Sequence, residues 1–212
     1  MVIKHVIQAG IPSARLTLST ITDAELSLYQ RLYGDSSTMQ FIGPCYDQAQ
    51  SAEFFRRCLQ QSKHPTSPWY YFAIRLHQQQ QAIGFISLIP TQYPAAPFEL
   101  GIMLSAEARG QGYADEALTA LFLHCFTLLE LPALLARVNP DNKGATKHIR
   151  HFGFIAAPAE MPAQQGLQNY LLAASADNIR YLKELATGFA RLQQSQTQAA
   201  VAADSIYLRN TP

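Results

Sequence analysis

Along this chain the apolar positions switch between a period of two and a period near 3.6, and each switch predicts an element. Residues 15–21 alternate in part, with Leu16, Leu18 and Ile21 inward, which predicts a half-buried strand. Thr22 or Asp23 can then cap a helix that has Glu25 in its first turn and Leu26, Tyr29 and Leu32/Tyr33 at helical spacing. Gly34-Asp35 ends it, and a loop through Phe41-Ile42-Gly43-Pro44 leads to a second helix over 51–61, with Phe54, Phe55, Cys58 and Leu59 on its buried side. Residues 69–76 and 82–89 are rich in β-branched and aromatic types, and the polar HQQQQ between them predicts a hairpin.

The central stretch is 98–118. Phe98 to Leu104 is apolar apart from Glu99 and Gly101, which suits a largely buried strand. Gly101 is expected to mark a bulge or a close approach of another backbone or ligand. A polar turn ends in Arg109-Gly110-Gln111-Gly112-Tyr113-Ala114, and the spacing becomes helical through Ala117, Leu118, Leu121, Phe122, Cys125, Leu128 and Leu129. A strand, a glycine turn and a helix start make an anion site, because the first backbone N–H groups of a helix lack partners.

Residues 134–138 predict a short buried strand, and Asn139-Pro140-Asp141-Asn142 is turn chemistry before a helix over about 143–151 that stops at Gly153. Residues 167–174 read as the last core strand. Residues 176–193 read as an amphipathic helix with Ile179, Leu182, Leu185, Phe189 and Leu192 on one face. The order of elements predicts a single mixed α/β (α+β) domain with a central twisted sheet of about six to seven strands flanked by helices. Residues 1–14 are an N-terminal extension with a short strand through Val2, Ile3, Val6 and Ile7, 15–174 the main domain, and 175–212 a C-terminal helix and tail. The tail is expected to fray or to add a strand through 205–209.

The totals narrow the function classes. A length of 212 residues with 48% hydrophobic and 15% charged content fits a folded, soluble domain. A net charge of +1 gives no electrostatic footprint for nucleic acid or an acidic membrane. Cys45, Cys58 and Cys125 form no CxxC pair, which fits reduced thiols and a cytoplasmic location, and neither a leader nor a membrane span is expected.

Arg109-x-x-Gly112-x-Ala114 resembles the pyrophosphate-binding motif of the GCN5-related N-acetyltransferases. Three further stretches, in the right order, are similar to the ribosomal-protein-alanine acetyltransferase (RimJ/RimL-type) branch of that family. They are TITDAELSLYQRLYGDSSTMQFIG, WYYFAIRLHQQQQAIGFISLI and NPDNKGATKHIRHFGF. The resemblance covers roughly 15–174. It implies a fold in which the strand of Phe98–Leu104 splays from the next one, with the pantetheine arm of acetyl-CoA in the gap.

What the resemblance implies for single residues is as follows. Backbone groups of Ile102, Met103 and Leu104 would bond the arm, and the Met103 or Leu104 N–H would polarise the thioester carbonyl. Arg109, Gly110, Gln111, Gly112, Tyr113 and Ala114 would wrap the pyrophosphate. Asn142 would bond the arm or a site water, or act as a plain helix cap, and Lys147 would reach the phosphates, as would Lys143 and Arg150. Glu99 would be the general base. The two places where the family carries its general acid hold Ile149 and Ala145, leaving Thr146, His148 and Tyr170 as substitutes. No metal is implied. His148 and His151 lie three apart on a helix but have no third ligand in view.

The resulting expectation is a cytoplasmic, acetyl-CoA-dependent N-acetyltransferase, a monomer or homodimer. It would act on a protein N-terminal α-amine or a small-molecule amine in a ternary complex. The lack of an acidic run disfavours polycationic acceptors. The alternative is a CoA- or acyl-CoA-binding sensor of the same fold without catalysis.

Overall fold

The computed structural model describes residues 10–77, 81–164 and 166–209, with side chains to 198. The elements run β1 (Ile11–Pro12), β2 (Leu16–Thr20), α1 (Leu26–Gly34), α2 (Ser36–Met39), α3 (Gln48–Lys63), β3 (Tyr70–Leu76), β4 (Ala82–Pro90), β5 (Phe98–Leu104), α4 (Tyr113–Thr127), β6 (Ala133–Val138), α5 (Lys143–His151), β7 (Ile155–Ala156), β8 (Gln168–Ala173) and α6 (Ala176–Arg209). One sheet carries all eight strands in the order β1-β2-β3-β4-β5-β6-β8-β7. Six of these have five or more residues and two have only two, so the long strands match the expected sheet. Every pairing is antiparallel except β5 with β6.

Side chains alternate across each strand and divide the core in two. On one face Phe72, Ile86, Leu88 and Leu134 pack with Leu118, Phe122 and Cys125 of α4, Ile149 of α5, Phe152 just after it, and Leu182 of α6. On the other face Ala73, Tyr71 and Phe85 meet Tyr29 of α1 and Phe55, Cys58 and Leu59 of α3. Further along that face, Ala133, Leu135 and Leu171 lie under Tyr93, Ala96 and Met161. Between these two covered regions Glu99, Gly101, Met103 and Ser87 remain half-buried, so the middle of the sheet is open on this side.

Several local expectations change. The region expected as loop after Gly34 contains α2, whose N-cap Asp35 accepts from the Thr38 N–H. The second helix starts three residues earlier than its apolar pattern, because Asp47 and Gln50 form a capping box. Phe54 is 43% exposed rather than buried; its ring stacks on Tyr46, which in turn stacks on Tyr33. Leu128, on the expected stripe of α4, is exposed beyond the end of the helix. Gly101 lies in unbroken register with Ser87, so it is not a bulge; a Cβ there would sit 2.7 Å from Ser87 Oγ. The register shift falls instead between β3 and β4, at Ile74/Arg75. The proposed strand over 205–209 is helix, continuous with α6. The strand expected through Val2 to Ile7 lies outside the described residues.

Candidate active site

The site begins with a parting of strands. β5 and β6 pair only at Phe98–Leu134, Glu99–Leu135 and Leu100–Ala136, so Gly101 to Leu104 have no partner on that side. On its other edge β5 stays paired with β4 to Leu104. The Ser105 N–H donates to the Ile83 carbonyl at 2.9 Å, and antiparallel partners alternate between bonded and non-bonded pairs. Glu99, Gly101 and Met103 therefore direct their N–H and C=O groups to β4, whereas Ile102 and Leu104 direct theirs to the open edge. Of the two N–H groups expected to polarise a carbonyl, the register turns that of Leu104 to the gap and that of Met103 away from it. Arg109 Nε takes the Leu104 carbonyl at 3.2 Å, which leaves the Ile102 N–H and C=O and the Leu104 N–H along the edge.

The edge leads to the glycine turn. Gly110 and Gly112 have φ of +74° and +75°, a conformation that glycine adopts without strain. Gly112 is the N-cap of α4, and a Cβ on Gly110 would meet nothing within 4 Å, so the turn is open on that side. Two arginines hold the turn. Arg109 Nη2 donates to Thr38 Oγ1 at 2.7 Å, tying the turn to α2. Arg15 donates from Nη1 to the Gln111 carbonyl at 3.2 Å and lies 4.6 Å over the Tyr113 ring. Glu116 fixes Arg15 in turn: its carboxylate, 1% exposed, accepts from Ser13 Oγ, the Arg15 N–H and Arg15 Nε at 2.6–2.8 Å. Arg15, Thr38 and Glu116 were not singled out from the sequence as parts of the turn, since their partners lie 71 to 103 residues away.

α5 lies beside this turn. His148 Nδ1 contacts Asp115 Oδ1 at 2.7 Å, and the hydrogen bond from His148 is the main reason the Asp115 carboxyl sits below the usual carboxylate range. Lys147 is exposed and near enough to Asp115 to lower it further. Asn142 caps α5, with Oδ1 accepting from the Ala145 N–H at 3.0 Å. Ile149 is buried in the core. The three substitute acids all have partners: Thr146 Oγ1 donates to the Asn142 carbonyl, His148 meets Asp115, and Tyr170 Oη donates to Gln168 Oε1.

Glu99 stands where the strands part, with its side chain on the open face. Burial raises its pKa above the usual carboxylate range, and the Arg137 guanidinium, 3.3 Å away, opposes that rise. Arg137 went unremarked in the sequence; its signal is a lone cation inside the apolar strand β6. A cavity of about 260 Å³ between β1, α4 and α6 includes none of the expected site residues. Among the described residues there is no cluster of three metal-ligating side chains and no helix long and apolar enough to cross a membrane.

Known structures share this fold. An acetyltransferase from Agrobacterium tumefaciens is 24% identical with a TM-score of 0.66, over 77% of this chain and 93% of that one. The nucleotide-linked sugar GNAT FdhC superposes with a TM-score of 0.68 at 16% identity, over 85% and 98%. RimL, a ribosomal L7/L12 alpha-N-protein acetyltransferase, gives 0.63 at 17%, over 77% and 93%. No curated protein matches. A family model described as an acetyltransferase (GNAT) domain matches residues 15–155, more than half of the 212-residue chain. The split between β5 and β6 and the glycine turn before α4 thus belong to a member of the GNAT acetyltransferase family.

Proposed function

We propose that the protein is an acetyl-CoA-dependent N-acetyltransferase acting on a primary amine, in a branch similar to the RimJ/RimL type. The observation that carries this reading is the unpaired edge of Ile102 and Leu104 running to the open turn at the start of α4. That edge offers backbone groups spaced for the amide-bearing pantetheine arm, and the turn offers N–H groups and a helix dipole for the pyrophosphate. Gly110, Gln111, Gly112, Tyr113 and Ala114 would supply the phosphate cradle, with Lys147 beside it and Arg109 and Arg15 holding its shape. Acetyl-CoA would supply an activated acyl group.

The chain's residues would do the rest. Glu99 would take the proton of the amine, directly or through one water, and the Leu104 N–H would donate to the carbonyl oxygen as it gains charge. A leaving thiol with a pKa near that of free Cys, about 8.5, needs no dedicated protein acid. That accounts for activity with Ile149 in the core. The buried Ile149 also favours the second reading, a CoA-binding module without turnover.

Calorimetric titration with acetyl-CoA tests the cofactor reading. Binding in the micromolar range, lost in Gly110→Trp while the far-ultraviolet spectrum is kept, is expected, because that side chain would project into the open front of the turn. Binding that survives the substitution would leave the turn as a helix cap. Free-thiol release with amines then separates the enzyme from the binding module.

A further inference from the structure

Three polar side chains share one face where β5 and β6 part. Glu99 lies beside Leu135 on β6, Arg137 is two residues on, and Asn169 of β8 is the direct partner of Arg137. Arg137 is 30% exposed and its one ionic partner among the described residues is Glu99. Its Nε is buried and lies 3.3 Å from Glu99 Oε2 but is not aligned as a hydrogen bond, and it has no other acceptor among the described residues. Asn169 is 8% exposed. Its Nδ2 donates to the Met161 and Pro162 carbonyls at 2.9 and 3.3 Å, while Oδ1 is buried without a partner. An unsatisfied donor and an unsatisfied acceptor thus sit on paired residues, next to a carboxylate. Buried polar groups rarely go unpaired, and one that does calls for an explanation such as a catalytic role or a bound water or ion.

We propose that Glu99, Arg137 and Asn169 form the acceptor recognition site and that it takes a primary amine carrying a carboxylate, as in a free α-amino acid. The inference rests on the acetyltransferase reading and chooses among its acceptors. A guanidinium presents Nε and one Nη side by side, which suits a carboxylate held by two parallel hydrogen bonds. Both Arg137 Nε and Asn169 Oδ1 are buried, so the acceptor must part the side chains above them to bind, and its amine would then donate to Asn169 Oδ1 and to Glu99. A protein N-terminus offers a neutral amide at the place of that carboxylate and would leave Glu99 as the guanidinium's one ionic partner. In the reaction the amine nitrogen bonds to the acetyl carbon and the C–S bond breaks. Glu99 receives the amine proton, and the thiolate leaves with the electron pair and is protonated by water.

The test compares a panel of L-amino acids with the matching amino acid amides, by free-thiol release from acetyl-CoA. For the best acid, kcat/KM should exceed that of its amide by about tenfold or more, as expected when a charged receptor loses its ionic partner. In Arg137→Gln that ratio should fall toward one, through a rise in KM for the acid; Arg137→Lys should be intermediate. A ratio near one in the wild type would overturn the proposal. So would a ratio preserved in Arg137→Gln while both rates fall, which would make Arg137 a donor to the thioester oxygen. If Arg137→Gln does not fold, or if no amine is turned over, wild-type calorimetry decides. The CoA-bound protein is titrated with N-acetyl-L-leucine and N-acetyl-L-leucinamide, and with L-leucine and L-leucinamide. Preference for the carboxylates supports the site even where the acetyltransferase reading fails, and equal or absent binding sinks it.

Discussion

Glu99 carries opposing demands in one side chain. Burial raises its pKa, Arg137 opposes the rise, and the carboxylate must be ionised to accept a proton. For a group whose native pKa lies above its unfolded value, the native state binds more protons between the two values, so stability falls as pH rises through that window. Catalysis runs the other way: kcat/KM should climb with pH along an acid limb set above the ordinary carboxylate range. Glu99→Gln separates the two. It should cut kcat/KM by about 10²–10⁴, the usual reach of a general base, and keep acetyl-CoA affinity. Its unfolding free energy should no longer show the decline above the carboxylate range. A pH–rate profile and urea unfolding at several pH values read both effects. An acid limb unchanged in Glu99→Gln would assign the base elsewhere.

Among the elements, the β4–β5 pair decides where the open edge lies. A Cβ on Gly84 would sit 2.3 Å from the Met103 carbonyl oxygen and 2.6 Å from Leu104 Cδ2, so the two strands approach too closely for any side chain. Gly84→Ala should therefore destabilise by about 1–3 kcal/mol, the common cost of overpacking. It should also weaken acetyl-CoA binding, because β5 must move at the residues that face the gap. Denaturant midpoints and calorimetry on one variant check both, and a change in stability without a change in affinity would place the cofactor elsewhere. This contact also shows what a sequence can carry. Gly84-Phe85-Ile86 was recognisable as a pattern, but the reason for the glycine lies in a neighbour twenty residues on. The long strands and α4 were legible because their buried apolar residues recur at strand or helix spacing, or run together as in β6. It missed α2, which is a single turn held by Asp35, and β7, whose Ile155 and Ala156 are both exposed. Glu99 was visible as an acid in an apolar strand. Its contact with Arg137 was not, because the register of β5 against β6 is set by tertiary packing.

At the scale of the whole molecule, α6 joins two unlike halves. Its 34 residues would span about 50 Å at 1.5 Å per residue. Leu182 is 1% exposed, and Ile179 and Leu185 pack against the same core as α4, so the first half of the helix is part of the fold. From Gln194 to Gln198 every side chain is exposed, so none of these five is buried in the core. Two truncations should therefore behave differently. Ending the chain after Gln193 should leave the melting temperature and acetyl-CoA affinity near those of the full protein, since no buried side chain from 194–198 is removed. Ending it after Ser175 should uncover the α4 side of the core. Losing Leu182 alone would cost about 2–5 kcal/mol if its place stayed empty, enough to take a domain of ordinary stability close to unfolding. Thermal melts of both, with light scattering for mass, make the comparison. If the shorter chain melts like the full one, α6 is an appendage rather than part of the core. If removing only 194–212 turns a dimer into a monomer in solution, that end of the chain holds two copies together.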